Sequence, residues 1–130
     1  LPRAIRDVYK RQAANPSDKT KVTLLYGNKS EADILLREKF DELSKDSRFN
    51  IVYFLDENAK NVKSEKGYIT KDHVKKYLPG AEKGEKAKIF VCGPPPMVGA
   101  IAGPKQGFQQ GELKGVLSEL GYNAEQVFKF

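Results

Sequence analysis

At 130 residues the chain has the length for one domain with one hydrophobic core. Its 39% hydrophobic and 31% charged residues give a globular rather than a disordered composition, and no apolar run approaches the roughly 18–20 residues of a membrane span. One cysteine excludes an internal disulfide, and one cysteine with one histidine argues against a structural zinc site. No secretory signal is visible at the N-terminus as it stands. Lysine and arginine number 23 against 17 acids, a net charge of +6. The cations are scattered among the acids with no aromatic-basic motif, which argues against nucleic acid. Such a surface suits an acidic protein partner or a phosphate-bearing ligand; ordinary solubility charge explains it equally well.

Residues 1–14 place Ile5, Val8 and Tyr9 at helical spacing, and Asn15-Pro16-Ser17-Asp18 is a turn. Residues 22–26 are apolar and β-branched until Gly27-Asn28 breaks them, which predicts a buried strand. Ser30 with Asp33 is close to a capping box and predicts a helix over residues 31–43. Ile34, Leu35, Phe40 and Leu43 would line its inner face. The next predicted strand is residues 49–55, ended by Asp56-Glu57-Asn58. The polar, lysine-rich stretch from there to Gly67 reads as a mobile surface loop. Thr70 caps a short helix over residues 71–77, which Pro79-Gly80 stops. His73 on that helix reads as a surface residue, not a catalytic one. Residues 82–86 read as an exposed linker.

An apolar run from Ile89 ends at Cys92 and turns at Gly93. Pro94 to Pro96 have fixed φ and no N–H, so no ladder continues through them. Pro96 then serves as the first-turn proline of a helix over residues 97–102. Residues 103–111 form a glycine- and glutamine-rich loop. Leu113, Val116, Leu117 and Leu120 predict a helix over residues 112–120 with Gly121 as its C-cap. Val127 to Phe130 alternate as a last strand. Strands alternating with helices predict an α/β fold, an open parallel sheet with helices on both faces.

Ligands of such sheets bind beyond the carboxyl ends of the strands. Gly27, Asn28, Asp56, Cys92, Gly93 and Pro94 are therefore the candidate nucleotide edge. No Gly-x-Gly-x-x-Gly, P-loop, Ser–His–Asp set or metal spacing is present. Asp56 can accept hydrogen bonds from ribose hydroxyls and repel a 2′-phosphate; an Asx turn after the strand is the alternative. For Cys92 the alternative to a ligand edge is a small buried hydrophobe.

The string Cys92-Gly93-Pro94-Pro95-Pro96-Met97 resembles the signature of the pyridine-nucleotide domain of NADH–cytochrome b5 reductases, within the wider ferredoxin–NADP⁺ reductase-like flavoenzymes. The run Tyr26-Gly27-Asn28-Lys29-Ser30-Glu31-Ala32-Asp33-Ile34-Leu35-Leu36-Arg37 is similar to the same family. The ending, Gln110-Gly111-Glu112-Leu113-Lys114-Gly115 through Gly121-Tyr122 to Val127-Phe128-Lys129-Phe130, looks most like the fungal mitochondrial form. The resemblance covers residues 15–130 and implies a Rossmann-like NAD-binding domain of ferredoxin reductase type.

It implies that Gly27, Asn28 and Lys29 lie by the nucleotide, that Asp56 favours NADH, and that Tyr68 lies by the adenosine part; a core contact is the alternative for Tyr68. Cys92 would stand beside the nicotinamide as the catalytic position, with Gly93, Pro94, Pro95 and Met97 completing the cofactor set and no metal. In the whole enzyme NADH would pass a hydride to FAD and electrons would pass singly to cytochrome b5, an acidic partner. The family's FAD-binding barrel and its first βα unit with a Gly-x-Gly-Ile-Thr-Pro loop have no counterpart here. The chain is therefore expected to be a C-terminal fragment, inactive alone, with residues 1–14 a doubtful or foreign segment. The implied location is mitochondrial (outer membrane or intermembrane space), or else the cytosolic face of the endoplasmic reticulum. Membrane attachment would come only through an anchor absent from this chain. The rival reading is a non-catalytic α/β binding module whose basic surface holds an acidic protein.

Overall fold

The computed structural model describes residues 7, 10–12, 14–62 and 64–130. They fall into two compact units that meet in sequence at Ile69 and Thr70, where length alone pointed to a single core. Ile5, Val8 and Tyr9, which carried the expectation of an N-terminal helix, lie outside the described residues, as does most of the segment expected to be foreign; Asp7, Lys10 to Gln12 and Ala14 are helical.

The first unit contains β1 (Val22–Asn28), α1 (Arg37–Leu43), β2 (Phe49–Leu55) and β3 (Ser64–Lys66). They form a three-stranded sheet in the order β1-β2-β3. All pairings are parallel, with Val22 opposite Phe49, Asn28 opposite Leu55, and Leu55 opposite Lys66. β2 is the central strand and is buried at Phe49 and from Val52 to Leu55, as a parallel strand covered on both faces must be. Ile34, Phe40, Phe49, Tyr53 and Leu55 form the core of this unit. The Tyr26 ring meets Phe40 edge-on at 5.7 Å between centroids.

Three expectations for this unit need correction. Gly27 and Asn28 do not break the first strand: β1 runs through both, which pair with Phe54 and Leu55 of β2. The helix over residues 31–43 is broken in two. A single 3₁₀ turn spans Glu31–Asp33, Ile34 is extended, and Leu36 is left-handed at φ 59° before α1 begins. Ser30 and Asp33 close a complete capping box on that short turn, so the box ends an element almost as soon as it starts one. The break shifts the helical phase, and Leu35 is left 69% exposed while Ile34 and Phe40 reach the core. The stretch from Asp56 to Gly67 is also not a free loop. It contains β3, and Ala59 and Val62 pack against the core.

The second unit contains α2 (Lys71–Tyr77), β4 (Ile89–Val91), α3 (Pro95–Ala102), α4 (Gly115–Glu119) and β5 (Val127–Lys129). A 3₁₀ segment over Ala81–Lys86 replaces the expected linker. β4 and β5 pair in parallel, Ile89 opposite Val127, so among the described residues the strands form a three-stranded and a two-stranded sheet. Val98, Ile101, Ala102 and Leu117 are buried. His73 completes the cap of α2, its Nδ1 accepting the Thr70 N–H at 3.0 Å.

α3 starts earlier than expected because both Pro95 and Pro96 fit its first turn, where a missing N–H costs nothing. α4 starts later because residues 112–114 have other work. Lys114 N–H donates to the Ala102 carbonyl at 3.0 Å, and Lys129 Nζ donates to the Glu112 carbonyl at 3.0 Å. Lys129 is 2% exposed, and its burial pushes the ammonium pKa down. The Gln110 amide closes the β5 backbone, accepting the Lys129 N–H at 2.7 Å and donating to its carbonyl at 2.9 Å.

Gly115 allows the close crossing of α4 on α3. Its φ is +72°, and a Cβ there would stand 2.3 Å from the Ala100 carbonyl oxygen. Gly99, inside α3, has no atom within 4 Å of an added Cβ. Urea unfolding should therefore separate the two: Gly115→Ala is expected to lose more than about 2 kcal/mol, and Gly99→Ala to be neutral or to gain up to roughly 1 kcal/mol. Equal effects would mean that the α3–α4 crossing is not tight.

Candidate functional site

In the first unit the parallel register lines up the strand exits. Asn28, Leu55 and Lys66 form one row, so Lys29, Asp56 and Gly67 form the next. Backbone hydrogen bonds hold that second row. The Asp56 N–H is shared between the Asn28 and Lys29 carbonyls (3.4 and 3.1 Å), and the Glu57 N–H donates to the Lys29 carbonyl at 3.0 Å. The Gly67 N–H donates to the Leu55 carbonyl at 2.9 Å.

The Asx turn left open for Asp56 does not form. Its side chain is exposed and, among the described residues, the carboxylate has no hydrogen bond or ion pair. One row back, at the end of β1, Asn28 Nδ2 is a buried donor without a partner among the described residues. An orphaned buried amide is costly unless something supplies an acceptor. Gly27 and Lys29 are exposed, and no atom lies within 4 Å of an added Gly27 Cβ. Tyr68 is 86% exposed, which rules out the core contact left open for it. An exposed acceptor and an open aromatic ring therefore share one strand-end edge. That set can bind a vicinal diol and a flat heterocycle.

In the second unit β4 stops at Val91, and Cys92 follows it, exposed and free of disulfide. The alternative of a small buried hydrophobe is therefore not what the fold gives. Gly93, Pro94 and Pro95 are exposed and Met97 is half-buried. The Met97 and Val98 N–H groups both donate to the Pro94 carbonyl, at 3.0 and 3.1 Å. The first turn of α3 thus leaves no free N–H from these residues for an anion. A Cβ on Gly93 would fall 2.6 Å from Met97 Sδ, so any side chain there must displace the thioether. The edge offers a thiol, a rigid apolar rim and close backbone access.

A shallow cleft of about 280 Å³ lies at the opposite, amino ends of β4 and β5, lined by Glu85, Lys88, Asn123 and Glu125 among others. None of the predicted site residues lines it. Among the described residues no group of three metal-ligating side chains occurs, and no helix is long and apolar enough to cross a membrane.

Glu31 and Arg37, which brace the segment between Asp56 and Tyr68, were not singled out from the sequence. They are six apart, off the helical spacings, and their targets are backbone groups of residues 60 and 61. Lys66 was missed because Ser64–Lys66 is polar throughout; only its parallel pairing makes it a strand.

Parallel α/β folds with polar groups exposed at the strand exits bind their ligands there. Residues 4–103 match the family model described as the oxidoreductase NAD-binding domain, and the chain belongs to that family. Over 121 residues it is 62% identical to NADH-cytochrome b5 reductase 2 of Mycosarcoma maydis, covering 91% of this chain and 34% of that protein. The protein of the same name from Saccharomyces cerevisiae (strain YJM789) is 47% identical over 121 residues, or 89% of this chain and 39% of that one. The chain thus spans between a third and two-fifths of these curated relatives.

The fold is similar to the cytochrome b5 reductase domain of Ulva prolifera nitrate reductase, with a TM-score of 0.74 and 32% identity over 97% of this chain and 43% of that one. The CS-b5R domains of human Ncb5or, in the NAD⁺ form, share the fold alone, at a TM-score of 0.70 and 22% identity over 98% of this chain and 32% of that one. The expected α/β class with open parallel pairing is the fold of these domains.

An exposed Cys92 has a direct chemical consequence. Ellman's reagent should titrate one thiol per chain without denaturant. A thiol that reacts only in urea would place Cys92 inside the core.

Proposed function

We propose that this chain is the NADH-binding part of a cytochrome b5 reductase-type flavoprotein, with FAD held by residues outside this sequence and cytochrome b5 as electron acceptor. The observation that carries the reading is the exposed Asp56 carboxylate at the exit of β2, without a hydrogen bond or ion pair among the described residues, in a chain of the NAD-binding family. In such an enzyme NADH supplies a hydride and FAD accepts it.

This chain's residues bind and orient. Asp56 accepts hydrogen bonds from the ribose hydroxyls and meets a 2′-phosphate with like charge. Asn28, the last residue of β1, lies by the nucleotide, and the exposed Lys29 adds positive charge next to it. Tyr68 lies along the adenine ring. Cys92 is the catalytic position in the sense that its thiol packs on the nicotinamide and helps set the C4 distance; it forms no covalent bond. Gly93, Pro94, Pro95 and Met97 keep that rim narrow and stiff.

The net charge of +6 favours encounter with an acidic partner such as cytochrome b5. The resemblance of the C-terminal stretch to the fungal mitochondrial form supports a mitochondrial setting. Membership of the oxidoreductase family leaves the reading as a non-catalytic binding module unfavoured.

Asp56→Thr tests this in the flavin-loaded whole protein. The variant removes both the charge-assisted bonds to NADH and the repulsion of NADPH. The ratio of kcat/KM for NADH over NADPH should fall at least about tenfold, equivalent to ~1.4 kcal/mol. An unchanged ratio would mean that Asp56 only ends a strand.

A further inference from the structure

The segment between Asp56 and Tyr68 is held in its middle by two side chains from elsewhere. Glu31 sits in the 3₁₀ turn that follows β1, two residues past Lys29. Its Oε2 accepts the Lys60 backbone N–H at 3.2 Å. Its Oε1 pairs with Arg37 Nη1 at 2.8 Å, with side-chain exposures of 17% for Glu31 and 30% for Arg37. Arg37 Nη2 donates to the Asn61 carbonyl at 3.4 Å, and its Nε lies 3.5 Å from Asp41. Asp41 in turn accepts the hydroxyl of Tyr53, a 5%-exposed residue of central strand β2, at 3.0 Å. The Lys60 N–H, with Arg37 reinforcing it, holds the Glu31 carboxyl below its usual range. A continuous relay therefore runs from the buried centre of β2 through α1 to the backbone of residues 60 and 61.

The ends of this segment are fixed by backbone bonds at Asp56 and Gly67, next to the two groups assigned to the ribose and the adenine. The middle has little regular structure of its own, and Glu31 with Arg37 supplies partners for its polar backbone. We infer that Glu31 and Arg37 are positioning residues for the adenosine half of the nucleotide. They fix the spacing between Asp56 and Tyr68 without touching the ligand, and this rests on the reading of those two residues given above. Without the brace the segment must be ordered at each binding event, which weakens ground-state binding and leaves the hydride step alone.

The test uses the flavin-loaded whole protein and two hydride donors, NADH and reduced nicotinamide mononucleotide, which lacks the adenosine half. Glu31→Gln keeps the shape of the side chain and removes its charge; Arg37→Met removes the guanidinium. Both should raise KM for NADH by about five- to tenfold with kcat within about twofold. KM for the mononucleotide should stay at the wild-type value. Arg37→Lys, which can still pair with Glu31, should recover part of the loss.

An unchanged KM for NADH, or an equal rise for both donors, would overturn the inference, because a general loss of structure would not spare the shorter donor. Should Arg37→Met fail to fold, the near-isosteric Glu31→Gln decides alone. If the wild type handles both donors with the same KM, the adenosine reading itself fails. If it prefers NADH and the variants do too, undiminished, only this inference fails.

Discussion

Two backbone N–H groups, those of Asp56 and Glu57, converge on the carbonyl of Lys29, and the strand-exit edge of the first unit depends on that convergence. It ties the exit of β2 to the exit of β1 one residue beyond the last paired row. The Asp56 carboxylate makes no local turn there and stays exposed. The other end of the same sheet is fixed differently. Arg48 pairs with Asp46 at 2.7 Å and donates to the carbonyls of Asn15 and Asp18, both at 2.7 Å, while its own carbonyl accepts the Val22 N–H at 2.8 Å. The amino end of the sheet thus spends a charged side chain on structure, whereas the exits of β1 and β2 are tied by backbone bonds and leave the Asp56 side chain exposed.

The second unit solves a similar problem with rigid residues. Proline cannot extend β4, and prolines at the start of α3 take up the positions where helix N–H groups lack partners. The chain leaves the strand with a fixed path, an exposed thiol and no unsatisfied donors on the Pro94–Val98 turn. An edge of that kind suits a flat, uncharged ring better than a phosphate. The acid and aromatic of the first unit suit a sugar and a base. The two edges therefore differ in chemistry in the way that the two ends of a pyridine dinucleotide differ.

The strands were legible in the sequence wherever burial is continuous. Residues 49–55 read as a strand because six of the seven are apolar, and β2 spans the same residues. β3 was not legible, since three polar residues gain strand character only from the ladder that Leu55 and its neighbours offer. The helix expected over residues 31–43 failed at Leu36, whose left-handed backbone no propensity rule anticipates for leucine. Among the candidate site residues, Asp56 and Cys92 could be located because they follow strands, and strand ends are visible as breaks in apolar runs; Asn28 is the last residue of β1, which the apolar run alone ended at Tyr26. Glu31 and Arg37 could not, because their partners are backbone atoms about 25 to 30 residues away and any side chain could occupy those positions. Exposure also cannot be read from composition; Tyr68 could have been core until the turn at Gly67, φ 80°, carried it outward.

The strand exits, and not the cleft at Glu85, Lys88 and Glu125, are the proposed dinucleotide edge. Hydrogen–deuterium exchange of the flavin-loaded whole protein, with and without NAD⁺, tests it directly. The account predicts slower exchange in peptides containing Asn28 and Lys29, Asp56 and Glu57, Gly67 and Tyr68, and Cys92 and Gly93, with the cleft residues unchanged. Protection confined to peptides around Lys88 and Glu125, or none at saturating NAD⁺, would contradict it.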